Sequence, residues 1–226
     1  MNKLGHYLKS LLGILLVPAA IGATISFCHI LKNFSGRALS SGQWFFLCGI
    51  FVYCGVHLFV FKPNYIYVFG HEMIHAIATW LCGGKVKSFK VSRRGGSVRT
   101  TKSNFFISLA PYFMPSYVII FTLIFFVISL VASSAKIIPY FVFAIGAAVA
   151  FHLIMTADVL KKDQPDILTT GYIFSLVLIF LFNVLILSFI FCWLFEEITA
   201  KDFLKDAFFS SSRIYAALFK QLFGAR

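Results

Sequence analysis

The chain is a series of long apolar runs joined by short polar stretches. A helix that crosses a bilayer needs about 20 predominantly apolar residues at 1.5 Å each. Six runs meet that length: 11–31, which contains Pro18; 44–61; 65–82; 105–132, interrupted by Pro111 and Pro115; 137–160; and 167–195. Only Lys62-Pro63-Asn64 separates the second run from the third, so these two must form a tight antiparallel pair. The joint between the third and fourth runs is longer, "GGKVKSFKVSRRGGSVRTTKSN" at 83–104. Its Gly95-Gly96 step between Val-bearing stretches suggests a β-hairpin turn. The last stretch, "KDFLKDAFFSSSRIYAALFKQLFGAR", mixes Phe, Leu and Ala with Lys and Arg, as an amphipathic helix on a membrane surface does.

These patterns predict an all-α polytopic membrane protein of about six transmembrane helices, with a small β-hairpin after the third. Its organisation reads as two N-terminal transmembrane helices (1–64), a core of four further spans with the hairpin (65–195), and a basic amphipathic tail (196–226).

Composition supports the membrane assignment. Hydrophobic residues make up 60% of the 226 and charged residues 12%, against roughly half and a quarter in soluble domains. The run at 11–31 is too long for a cleavable signal sequence. The chain is expected to be an integral protein of a bacterial-type cytoplasmic membrane. The net charge of +12 suits topology and contact with anionic lipid, and no base-stacking motif points to nucleic acid. Cys28, Cys48, Cys54, Cys82 and Cys192 all lie in apolar stretches without a CxxC pair. They read as small hydrophobes rather than disulfides or metal ligands.

The acids are placed unevenly. Asp158, Asp163, Asp166, Glu196, Glu197, Asp202 and Asp206 all fall in the last third, and Glu72 stands alone before them. It sits in "FGHEMIHAIATW", inside the third run. A charged side chain at the centre of a membrane helix costs on the order of 3 kcal/mol or more, so Glu72 needs a partner. His71 and His75 are four residues apart and share a helix face, from which both can ligate one zinc ion. Glu72 is rotated by about 100° and can take a proton from a zinc-activated water. This is the HExxH arrangement, with Glu as general base.

A catalytic zinc takes a third protein ligand. Candidates lie in "FHLIMTADVLKKDQPDILTTG", 151–171. Asp158 can equally pair with Lys161 or Lys162, Asp163 can cap the helix begun by Pro165, and Asp166 can answer the dipole of that helix. Asp166 is preferred because it opens the sixth run and can point back into the bundle, with Asp158 as runner-up. His152, inside the fifth run, suits a supporting hydrogen bond to a ligand or the stabilisation of a developing oxyanion. The lone His29 and His57 read as polar residues facing the bundle interior.

"HEMIHA" inside a span, a Gly-rich basic hairpin and then the Pro-containing "SLAPYFMP" resemble the site-2 protease family of intramembrane zinc metalloproteases, over roughly 65–175. The resemblance implies a three-span core, zinc on His71 and His75, Glu72 as base and an aspartate from a later span. The family's Asn-Pro and Leu-Asp-Gly motif is absent, and "TADV" and "QPDI" are the nearest substitutes. The expected activity is zinc-dependent hydrolysis of peptide bonds in a membrane protein or peptide substrate at the bilayer. A metal-binding membrane transporter and a non-catalytic regulatory membrane protein are the other readings.

Overall fold

The computed structural model describes residues 3–35, 39–93, 95–131, 134–195 and 199–224. The elements run α1 (Lys3–Ser35), α2 (Ser41–Phe59), α3 (Asn64–Leu81), β1 (Val86–Ser92), β2 (Gly95–Thr100), α4 (Phe105–Phe113), α5 (Ser116–Ser129), α6 (Ser134–Leu160), α7 (Pro165–Thr170), α8 (Tyr172–Leu194) and α9 (Ala200–Phe223). The protein is thus mostly helical, with one small antiparallel sheet.

Among the described residues, four helical stretches are long and apolar enough to cross a membrane: Tyr7–Lys32, Ser41–Phe59, Lys136–Leu160 and Tyr172–Leu194. A fifth is reached if α4 and α5, bent by 72°, count as one span. The bend falls at Met114-Pro115. Met114 is extended (φ −86°, ψ 111°), the conformation a following proline favours. Helix α3 is outside this set, because Asn64, His71, Glu72 and His75 dilute its apolar residues. The sixth apolar run is also not one helix. Gly171, at φ 113°, separates α7 from α8, in a backbone region that glycine enters at little cost.

The chain forms two compact units. In the unit made of Met1–Ala38 and Ile167–Arg226, α1 packs along α8 and α9. The final helix is held on α1 by polar contacts: Ser26 donates to the Phe203 carbonyl at 3.0 Å, and His29 meets Asp206 at 2.7 Å. The buried face of α9 carries Phe203, Ala207 and Ser210, while Phe208, Phe219, Leu222 and Phe223 are exposed.

In the unit Leu39–Asp166, α2 lies against α6. Ser40 and Gln43 form a capping box that starts α2, satisfying backbone donors that the helix leaves open. The helices approach through two glycines. A Cβ on Gly49 would collide with the Phe143 carbonyl oxygen, and one on Gly146 with the Phe46 carbonyl oxygen. Small residues of this kind let membrane helices pack backbone to backbone.

The hairpin folds back along α3. At its root the Gly84 amide donates to the Thr79 carbonyl at 2.8 Å. Further along, Phe89 packs edge-on against Phe69 at 6.0 Å. The register pairs Phe89 with Val98, Val91 with Gly96 and Ser92 with Gly95. Gly95-Gly96 is therefore strand, not turn, and the paired strands end at Ser92 and Gly95. At Gly96 the strand approaches α3 closely: a Cβ there would stand 2.5 Å from Cγ of Glu72.

Candidate metal centre

The site is built mainly on one turn of α3. His71 and His75 project side by side, with ring centroids 4.9 Å apart. Residue Asp166, in the first turn of α7, brings Oδ2 to 3.5 Å from Nε2 of His75. One nitrogen or oxygen atom from each of His71, His75 and Asp166 lies within 4.8 Å of the others.

The surroundings orient these groups. Nδ1 of His75 lies 2.8 Å from the Ile107 carbonyl oxygen. A carbonyl only accepts, so Nδ1 carries a proton and Nε2 is left to face Asp166. The Ile107 carbonyl is itself placed by the start of α4, where Asn104 accepts from the Ile107 amide at 2.8 Å. The fully buried Tyr112 lies edge-on to His71 at 4.9 Å, and its hydroxyl donates to Oδ2 of Asp166 at 3.3 Å. Burial opposes the charge on Asp166, but its hydrogen bonds and the neighbouring histidines prevail, and its pKa lies below the ordinary aspartate value.

Glu72 is 7% exposed. It lines the same cavity, of about 380 Å³, as the three residues, beside Ser97 and Thr100 of the hairpin. Nδ1 of His71 is buried without a hydrogen-bond partner among the described residues. Such a nitrogen is costly unless something binds it. Two imidazoles and a carboxylate, with a cavity alongside, are the donor set of a zinc site with three protein ligands. The residues present fit that ion.

The other candidates are outside this set of three. Asp158 meets Lys62 at 2.6 Å, Lys161 at 2.9 Å and Nε2 of His57 at 3.5 Å. Asp163 is exposed, and α7 begins at Pro165. The buried His152 is on α6 and outside the converging set. His57 is buried and hydrogen-bonded to Tyr53, whereas His29 lies at the exposed pair with Asp206. Glu196 and Glu197 are outside the described residues. The roles of Tyr112, the Ile107 carbonyl and Gly96 were not legible in the sequence, since each acts through a contact that only folding creates.

The long apolar helices, with an HExxH turn on α3, suit an integral membrane protein. A family model described as peptidase M50B-like matches residues 44–205. That stretch is most of the chain, and it contains α3, the hairpin and Asp166. The chain belongs to this peptidase family, in agreement with the site-2 protease resemblance. Its members are generally zinc metalloproteases. The chain matches no curated protein and no solved structure.

Proposed function

We propose that the chain is an intramembrane zinc metalloprotease that cleaves peptide bonds of membrane-associated substrates. The observation that carries this reading is the convergence of His71, His75 and Asp166 on the cavity lined by Glu72. In this reading α3 lies within the bilayer despite its polar residues, making six spans with the α4–α5 pair.

His71, His75 and Asp166 would hold the zinc ion, which when bound would supply a Lewis acid for the scissile carbonyl and lower the pKa of water. The protein's residues do the rest. Glu72 takes a proton from the attacking water and passes it to the leaving amine. The Ile107 carbonyl holds His75 in one tautomer, and Tyr112 holds the Asp166 carboxylate. The exposed edge of the hairpin offers backbone groups to an extended substrate.

The test is a Glu72→Gln protein assayed for metal and for cleavage of a membrane-anchored reporter. Retained zinc with cleavage lost supports the assignment. Undiminished cleavage would remove Glu72 as the base, and a wild-type protein that binds no zinc at neutral pH would sink the reading altogether.

A further inference from the structure

Two cavities outside the metal centre meet at the turn from α2 into α3. The first, of about 400 Å³, is lined by Phe61, Lys62, Pro63, Ile66 and Arg93, with two further residues of the turn and no acid. The second, of about 270 Å³, shares Phe61, Pro63 and Ile66 with it and continues over Tyr117, Phe121 and Phe151. The tyrosines of this second cavity offer only ring faces to a ligand. Tyr117 donates its hydroxyl to the Ile66 carbonyl at 2.7 Å, and the Tyr53 hydroxyl lies 3.1 Å from His57 Nδ1. A cationic cavity therefore runs into an apolar groove.

We propose that this paired cavity binds an anionic phospholipid, with the headgroup phosphate at Lys62 and Arg93 and an acyl chain in the groove. A phosphate alone would have no use for the groove, and a neutral lipid none for the cations. Arg93 stands exposed beside the hairpin connection, and its planar guanidinium suits bidentate binding of phosphate. Lys62 lies 2.6 Å from Asp158, but Asp158 also meets Lys161 at 2.9 Å. Lys62 can turn to a phosphate while Asp158 keeps a cation. Basic pockets between membrane helices bind acidic headgroups in this manner.

The experiment titrates the purified full-length protein in neutral detergent. The probes are phosphatidylglycerol, phosphatidylcholine with the same acyl chains, and inorganic phosphate, with bound lipid read by native mass spectrometry. Two cations at the headgroup predict that phosphatidylglycerol binds on the order of 30-fold tighter than phosphatidylcholine, and that inorganic phosphate does not displace it. The double variant Lys62→Gln, Arg93→Gln should bind both lipids alike. If that variant does not fold, salt decides instead: the wild-type preference must shrink as salt is raised. Equal binding of the two lipids by the wild type, a preference that survives in the folded double variant or at high salt, or full competition by inorganic phosphate would overturn the proposal. Displacement of the lipid by an uncharged hydrophobic helical peptide would also overturn it, by assigning the groove to a peptide.

Discussion

Gly96 of the hairpin lies directly against the side chain of Glu72. A methyl group in place of its hydrogen would stand 2.5 Å from Cγ, 2.8 Å from Oε1 and 2.9 Å from the carboxyl carbon. The groups it meets form the outer end of a flexible side chain. Substitution therefore moves the carboxylate more easily than it moves the backbone. Gly96→Ala should lower kcat at least tenfold, as misplacement of a catalytic group by about 1 Å can cost 100-fold. Zinc content and thermal stability should stay close to wild type. Measuring all three on one preparation checks this, and unchanged kcat would show that the contact does not position Glu72.

Tyr112→Phe keeps the ring beside His71 and removes the hydroxyl that donates to Asp166. Loss of a group that orients a metal ligand costs about 10- to 100-fold in affinity. Zinc affinity measured by competition with a chelator should fall by that factor, with the helical content unchanged. Affinity equal to wild type would reduce Tyr112 to a packing residue.

Asp158 and Asp166 should behave oppositely. Asp166→Asn withdraws the carboxylate charge from the set with His71 and His75 and should lose most bound zinc. Asp158→Asn breaks the contacts to Lys62 and Lys161 and should keep it. Elemental analysis of the two purified proteins decides, and the reverse pattern would move the third ligand to Asp158.

Gly49→Leu should destabilise the Leu39–Asp166 unit by about 3 kcal/mol, the upper range for overpacking. The collision is with the Phe143 carbonyl, which cannot rotate away as a side chain can. A thermal melt in detergent measures this, with Gly55→Leu as the control, because nothing lies within 4 Å of a Cβ there. Equal melting of the two variants would count against backbone-to-backbone packing at Gly49.

Much of the architecture was legible in the residue pattern, because hydropathy and chain punctuation are local signals. The long apolar helices, the hairpin after α3 and the shared face of His71 and His75 all follow from spacing within a few residues. What escaped depends on contacts. Gly95-Gly96 looked like a turn from its neighbours alone, and only the approach to Glu72 explains why Gly96 stands inside β2. The break at Gly171 was hidden by an apolar run that continues on both sides of it. Among the aspartates, sequence left Asp158, Asp163 and Asp166 open. Their separation is eight residues, and the fold sends Asp158 to Lys62 and Asp166 to His75.

His71 and His75 come from a single helical turn, whereas Asp166 arrives about 90 residues later in the chain. A nascent chain that has made α3 holds two of the three converging groups, and the third joins only after α4, α5 and α6 have been laid down. Completion of the cluster is thus a checkpoint on assembly of the whole Leu39–Asp166 unit. Any fragment ending before α7 lacks the carboxylate, so the full cluster exists only when the two distant stretches have met.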